Sequence, residues 1–239
     1  TNTFTSYKHK SNDPNSLSSN EIYHILIDQP GNLWIAHPGG FGITIYDPKL
    51  NEFQKYTCDP QNVNSLSSND IISFFKDKLN NIWIVDYLGG VDRAVYKNQA
   101  INVYGHNLPN SINISSNVVI GLYEDEDKNI WMGTHDGGLC VLNTHTKRIE
   151  NFRHKDGDPF SLPYNAVYSI AGAFKGKVWL GIDNGNVCLF DAGIKQVVKT
   201  FRNPYSADTP RNLTKDNKDP NIIWFSTLFD GIFKLNTET

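Results

Sequence analysis

Residues 25–35 read ILIDQPGNLWI, in which two apolar runs flank a polar turn and the second run carries a Trp. The same frame surrounds each of the five tryptophans of the chain, which are spaced 49, 48, 48 and 45 residues apart. They are Trp34, Trp83, Trp131, Trp179 and Trp224. A nearly constant period of this length is typical of a repeat architecture, whose units bury their apolar surface by stacking on one another.

A Gly-bearing turn and further strand-like runs follow each Trp. In the third repeat, Gly137 and Gly138 precede the apolar run 139–142, and a more polar run covers residues 149–152. Glycine supplies the positive φ of a tight hairpin, while the two-residue alternation and the dense Gly, Asn and Pro exclude helical repeats. Each repeat is therefore predicted to be a four-stranded antiparallel meander, the blade of an all-β propeller, with its Trp packed between adjacent blades.

A single propeller domain of about 48-residue blades is expected to cover residues 1–239. The expected blades are residues 21–57, 70–105, 118–154, 166–202 and 210–236. The last repeat ends after its third strand, and residues 3–8 match the outer strand of other repeats. These residues are therefore expected to complete the last blade and close a five-bladed ring, because closure leaves no sheet edge unpaired. The alternative is that the five blades are part of a larger propeller.

Composition narrows the class of protein. The chain of 239 residues is 39% hydrophobic and carries a formal charge of −3, so a folded core is expected and a nucleic-acid partner is not. Its apolar runs are far shorter than the roughly 20 residues of a membrane span, which predicts a soluble chain without direct membrane insertion. No leader segment follows Thr1, so a mature product or an excised fragment is expected.

Polar segments connect the repeats, most clearly at residues 58–69, which read CDPQNVNSLSSN. Because Asp, Asn and Ser side chains bond nearby backbone groups and Pro fixes φ, this loop is predicted to rigidify itself. The Leu of S-L-S-S-N is expected to fill the space above two blades.

The connecting loop and the Trp frame together resemble the two-component regulator propeller repeat. The resemblance rests on the pattern D-P-x-N-x-N-S-L-S-S-N, followed by D-x-x-G-N-L-W-I and a Gly-Gly turn. The resemblance covers essentially the whole chain and is closest in the first two repeats. In that family such repeats form the periplasmic sensor region of hybrid histidine kinases of Bacteroides-type bacteria, which sense glycan breakdown products. The resemblance implies a non-enzymatic periplasmic sensor that binds an oligosaccharide and signals to a histidine kinase. Its partners would be that downstream kinase and neighbouring propeller or linker domains.

Candidate ligand-binding residues lie in the turn after each Trp strand, where the repeats differ from one another. In a propeller these turns emerge on one face near the axis. Aromatic rings and planar polar groups there suit a sugar, whose C–H faces stack and whose hydroxyls need donors and acceptors. The candidates are His37, Asp86, Tyr87, His135, Asp136, Asp183, Asn184, Phe229 and Asp230. The alternative is that they are ordinary solvated turn residues, since Asp and Asn favour turns.

Two other classes of function stay open. One is an assembly scaffold that forms a homodimer and has no ligand site of its own. The other is a propeller lyase or glycoside hydrolase, because Asp86, Asp136, Asp183 and Asp230 offer the two carboxylates that a glycosidase needs. An enzyme is not expected, since no serine lies in G-x-S-x-G and no arginine triad is evident.

No metal and no cofactor are expected. The seven histidines form no H-x-H or H-x-x-x-H pair, so a metal site would have to combine residues such as His37 and His135 from different repeats. Residues 125–127 are acidic, but they lack the spacing of an EF-hand calcium loop and are expected to form a solvated turn.

Overall fold

The computed structural model describes residues 3–62, 64–87, 89–95, 100–107, 112–174 and 176–238. Within these ranges the chain forms β-strands, and no helix has the length and apolar character needed to cross a bilayer. Backbone contacts divide the chain into two compact units, Thr1–Asn113 and Ile114–Thr239.

The first unit contains two sheets. The strands of the first sheet, in hydrogen-bonded order, are β1 (His24–Ile27), β2 (Leu33–Ala36), β3 (Ile43–Asp47) and β4 (Glu52–Tyr56). The second sheet consists of β5 (Ile71–Lys76), β6 (Ile82–Asp86), β7 (Gly90–Val95), β8 (Ala100–Gly105) and the short β9 (Ile112–Asn113). Strand β9 pairs in parallel with β8 and was not expected from the sequence, whereas the other pairings are antiparallel.

The second unit contains three sheets. The first two are meanders of β10 (Val119–Glu124), β11 (Asn129–Thr134), β12 (Leu139–Asn143), β13 (Ile149–Phe152) and of β14 (Val167–Gly172), β15 (Lys177–Ile182), β16 (Asn186–Asp191), β17 (Gln196–Arg202). The third has three strands, β18 (Asn212–Lys215), β19 (Ile222–Ser226) and β20 (Ile232–Asn236). The predicted all-β architecture of antiparallel meanders is confirmed. Residues 3–8 form no strand, so their completion of the last blade and the closure of the ring stay predictions.

The repeated Asp and Trp are joined in each of four turns between the first two strands of a sheet. One oxygen of Asp28 accepts the backbone N–H of Asn32 at 2.7 Å, and the other accepts Trp34 Nε1–H at 3.0 Å. The same indole-carboxylate bond joins Asp77 to Trp83, Asp125 to Trp131 and Asp216 to Trp224. The motif is thus a clamp that fixes the hairpin turn.

The tryptophans pack between neighbouring sheets within each unit. Trp34 contacts Phe74 of β5 edge-on, with ring centroids 6.0 Å apart. Trp131 likewise contacts Phe190 of β16, and Trp179 lies in one apolar cluster with residues of β19. The predicted packing of Trp between blades is confirmed for these three residues.

The connecting loops are fixed by their own side chains, as predicted. Ser65 Oγ accepts the backbone N–H of Asp59 and donates to its carbonyl, both at 2.9 Å. Leu66 is buried in a cluster that includes Ile43 of the first sheet and Ile84 of the second, so it fills the space above two blades. The third loop begins at Asn110 and Ser111, which lie outside the described residues.

Candidate functional site

The turns after the second strands are anchored to the start of the first strands. The backbone N–H groups of Tyr87, His135 and Asp183 donate to the carbonyls of Asp70, Val118 and Ala166, at 2.8, 3.0 and 3.1 Å. These three turn residues therefore occupy equivalent positions in successive repeats. Asp86 lies one residue before Tyr87. It ends β6 in the way that Thr134 ends β11, and both residues are buried.

His37 is fully buried in the first unit. Its Nδ1 lies 2.9 Å from the Glu21 carbonyl oxygen, and its Nε2 lies 2.9 Å from Thr44 Oγ1. Burial lowers the pKa of His37, which favours the neutral imidazole. The Glu21 carbonyl oxygen can only accept, so a neutral ring donates to it through Nδ1, and His37 braces its loop and presents no ring atom to solvent.

Asp86 and Asp92, which together we call the acidic pair, are also buried. Ser67 donates from Oγ to Asp86 at 2.6 Å and from its backbone N to Asp92 at 2.8 Å. Within the described ranges, the Oδ1 atom of each carboxyl group has no hydrogen-bond partner. Burial, and then the charge of Asp92, raises the pKa of Asp86 well above its usual value, and burial raises the pKa of Asp92 to about 6. Tyr87, 55% exposed, is the accessible candidate of this unit.

In the second unit, the candidates of the third and fourth repeats differ in accessibility. His135 and Asp136 are exposed. Asp183 accepts a hydrogen bond from Thr209 Oγ1 at 2.6 Å. Asn184 has a positive φ of 60°, which suits a tight turn, and its Nδ2 donates to the Tyr164 hydroxyl at 2.9 Å.

The candidates of the fifth repeat lie in a turn held by the preceding loop. The backbone N–H of Phe229 donates to Asp208 at 2.7 Å, and this bond is the main reason that the pKa of Asp208 lies below its usual range. The Phe229 ring is 84% exposed. The Asp230 carboxylate accepts a hydrogen bond from the Ser206 hydroxyl.

Two residues that the sequence analysis did not select contact this group. The Tyr168 ring lies edge-on to His135, with centroids 6.0 Å apart, and Arg211 Cζ lies 4.2 Å from the Tyr168 ring centroid. Tyr168 sits where the register of β14 shifts between Val167 and Ser169, and such bulges redirect side chains near functional sites. The sequence did carry a signal for Tyr168. The corresponding register shifts of β5 and β10 have Ile72 and Ile120 at this position, and the fourth repeat has an aromatic residue there instead.

The structure therefore joins His135, Tyr168 and Arg211, which come from three neighbouring sheets of the second unit. Because β14 packs beside both β10 and β18, the three side chains meet at the same ends of the sheets. Among the residues that the structure describes, no three His, Cys, Asp or Glu side chains are grouped to hold a metal ion.

Two depressions lie elsewhere in the second unit. One, of about 230 Å³, is lined by Trp131, Phe190 and the Lys195–Glu150 ion pair. The other, of about 520 Å³, is an open hollow beside Tyr205 and Asn203. The first is smaller than the roughly 300 Å³ of typical ligand sites, and it lies at the opposite sheet ends from the candidate turns.

Comparison with protein families identifies the repeats. The model of the family described as two component regulator propeller matches residues 16–39 and 113–136. Each matched segment begins in a connecting loop and ends just after a Trp strand. Two segments of the chain thus match the two-component regulator propeller repeat, which confirms the resemblance stated from the sequence. No match was found among curated proteins.

Solved structures share the fold. The extracellular domain of a protein assigned as a hybrid two component system, BT3049 of B. thetaiotaomicron, is 26% identical, with a TM-score of 0.70 over 95% of this chain and 28% of that one. That of a protein assigned as a one component system, BT4673 of the same organism, is 21% identical, with a TM-score of 0.69 over 92% and 30%. Virginiamycin B lyase of Staphylococcus aureus is 16% identical, with a TM-score of 0.62 over 95% and 71%. The chain thus spans less than a third of the two B. thetaiotaomicron domains. With the family match, these likenesses confirm the propeller fold.

Proposed function

We propose that this chain is the ligand-binding part of a periplasmic sensor in a two-component regulatory system. It binds an oligosaccharide and passes the bound state to a histidine kinase, and neighbouring propeller or linker domains are its other partners. The observation that carries the proposal is the pair of family-matched repeats in a chain that resembles the extracellular domain of a hybrid two component system.

The side chains at the candidate turns support a sugar ligand. His135, Asp136 and Tyr87 are exposed, and Tyr168 and Arg211 are partly exposed. Aromatic rings offer faces for sugar C–H groups, and the carboxylate, imidazole and guanidinium offer acceptors and donors for hydroxyls. His135, Asp136 and Tyr87 project from turns that a rigid sheet scaffold holds in place, which is the usual arrangement of binding loops.

The state of the carboxyl groups favours binding over catalysis. A glycosidase needs an acid and a base or nucleophile that both reach the substrate. Asp86 is buried, while Asp183 and Asp230 are each engaged by a hydroxyl of Thr209 or Ser206. Asp136 is exposed, and a single accessible carboxylate that is free of such a bond does not make a glycosidase pair.

A thermal-shift screen of the purified chain against defined oligosaccharides tests this function. Ligand present at 100 times its Kd stabilises the folded state by about 2.7 kcal/mol, which is measurable as a rise in Tm. We expect one glycan family to raise Tm, and the rise to shrink in Tyr87→Ala or Asp136→Ala. The control is Phe174→Ala, which removes a 55% exposed ring from the turn between β14 and β15, at the sheet ends opposite the candidate turns, and should leave the shift intact.

The scaffold function is the alternative, and one observation favours it. Leu228, Phe229 and Ile232 of the last sheet are 57%, 84% and 75% exposed, and clustered apolar side chains of this kind mark protein interfaces. If no oligosaccharide changes Tm while the mass in solution rises with concentration, direct sensing is contradicted and assembly is the better account.

A further inference from the structure

Arg211 is a cation without an acidic partner. Within the described ranges, no carboxylate lies within ion-pair distance of its guanidinium, and its Nε is buried without an acceptor. A buried charged donor that lacks a partner destabilises the fold. In a chain that carries more acidic than basic residues, this arrangement calls for an explanation.

Three acidic residues that lie in the loop before Arg211 or contact it accept hydrogen bonds from other donors. Asp183 accepts from Thr209 Oγ1, Asp208 from the backbone N–H of Phe229, and Asp230 from the Ser206 hydroxyl. Each of these three carboxylates lies in the segment before Arg211 or contacts it, and each is already bonded to a donor other than Arg211. The guanidinium is left with unused N–H groups.

The orientation of the guanidinium is fixed. Arg211 Cζ lies 4.2 Å from the centroid of the Tyr168 ring, and stacking on a ring holds a guanidinium in one plane while its edges stay open. A planar fork of N–H donors matches a carboxylate, which it binds through two parallel hydrogen bonds. The exposed His135 ring also contacts Tyr168, with ring centroids 6.0 Å apart, and offers a further polar edge.

We propose that Arg211, Tyr168 and His135 form a subsite for the carboxylate of a uronic acid unit, and we call these three residues the uronate subsite. Arg211 donates two hydrogen bonds to the carboxylate, while Tyr168 and His135 contact the sugar ring beside it. This inference rests on the proposed oligosaccharide-binding function and narrows its ligands to acidic glycans.

Calorimetric titration of the whole chain with matched sugars tests the subsite. The probes are di- and trigalacturonate, diguluronate and dimannuronate, each paired with its counterpart in which the carboxylates are reduced to neutral alcohols. At least one uronate should bind about tenfold or more tightly than its reduced counterpart, because a charge-assisted bidentate pair is worth at least that factor.

Variants separate the subsite from general electrostatics. Arg211→Gln should abolish the preference for the uronate, and Arg211→Lys should keep part of it, since Lys retains the charge and loses the fork. Arg202→Gln is the matched control, because Arg202 is an exposed arginine of the same unit. The melting temperature of each unliganded variant shows that it folds.

The outcomes divide as follows. If uronates and reduced sugars bind equally, or if Arg211→Gln keeps the preference, the uronate subsite is overturned while oligosaccharide binding stands. If none of these sugars binds while another oligosaccharide raises Tm, the subsite alone is overturned, and if no oligosaccharide of any kind binds, both the subsite and the sugar-binding function are overturned. Preference lost in Arg211→Gln and kept in Arg202→Gln supports the subsite.

Discussion

Asp86 and Asp92, at the end of β6 and within β7, differ from an Asp in an ordinary turn. An exposed Asp in a turn is charged and solvated, whereas the acidic pair is enclosed and shares the donors of Ser67. Burial disfavours the charged form and raises the pKa of both groups. Between the ordinary Asp pKa and about 6, Asp92 therefore binds more protons in the folded state than in the unfolded chain.

The acidic pair gives the first unit a pH-dependent stability. Because the folded pKa of Asp92 is raised to about 6, its stabilising contribution is complete below the ordinary pKa of 3.8 and is lost as pH rises through 6. Asp92→Asn, which stays neutral, should raise the free energy of unfolding at pH 7.5 by about 2–3 kcal/mol and have a smaller effect at pH 4. Chemical denaturation of both proteins at the two pH values measures this.

The comparison between proteins is needed because His37 titrates in the opposite sense. Burial lowers the pKa of His37, so its contribution is present at high pH and is lost on acidification. This contribution is common to the wild type and to Asp92→Asn and cancels in their difference. An equal effect of the substitution at both pH values would show that folding does not raise the pKa of Asp92.

At the scale of the element, the Asp-Trp clamp makes the first hairpin of a sheet independent of its loop sequence. Asp125 bonds Trp131 Nε1 at 2.8 Å and the backbone and side-chain N–H groups of Asn129. Trp131 is 2% exposed, so its indole N–H has no access to water if the carboxylate is removed. Asp125→Ala should therefore lower the free energy of unfolding by about 1–3 kcal/mol.

Asp216 provides the matched control for this prediction. It makes the same bond to Trp224, but that indole is 37% exposed and can bond water instead. Asp216→Ala should lower Tm less than Asp125→Ala in the same thermal scan. Equal losses in the two variants would mean that the clamp acts through the turn backbone and not through the buried indole.

The elements were predictable because each is encoded locally. The Trp frame, the Gly turn and the two-residue alternation fall within a single repeat, and strands such as β11 and β12 lie where these signals put them. The site depends on register and packing between repeats. A bulge places Tyr168 beside His135, and the one-residue difference between Asp86 and Tyr87 separates a buried strand end from an exposed turn.

At the scale of the whole molecule, the question is what residues 3–8 pair with. Tyr7 lies 5.0 Å from Tyr46 between ring centroids, as Phe152 of the outer strand β13 lies 5.0 Å from Phe190 of the next sheet. His9 and His154, each two residues later, both place Nδ1 2.7 Å from a loop carbonyl, of Leu17 and Leu162. Residues 3–8 thus contact the first sheet in the way that the outer strand β13 contacts the sheet that follows it. This likeness supports our proposal that they are the fourth strand of a blade.

The glycine at the start of the third strand can be used to test whether that fourth strand is present. Gly138 has a φ of +81°, and a Cβ there would overlap the Phe152 carbonyl oxygen of the outer strand. Gly231 has a similar φ of +89°, but a Cβ there would meet no atom within 4 Å, since its sheet has three strands. We expect residues 3–8 to complete this sheet. Gly231→Ala should then lower the free energy of unfolding by about 3 kcal/mol, and Gly138→Ala should do the same, because backbone strain and overlap act together at both positions.

Deleting residues 3–8 provides the second half of this test. In the shortened chain the overlap is gone, and Gly231→Ala should cost only the backbone strain, about 1–2 kcal/mol, while the cost of Gly138→Ala is unchanged. Denaturant melts of the four proteins and their two parents give these differences. If Gly231→Ala costs the same small amount with and without residues 3–8, the segment does not pair with β20, and the five repeats are part of a larger propeller whose other blades supply the missing strand.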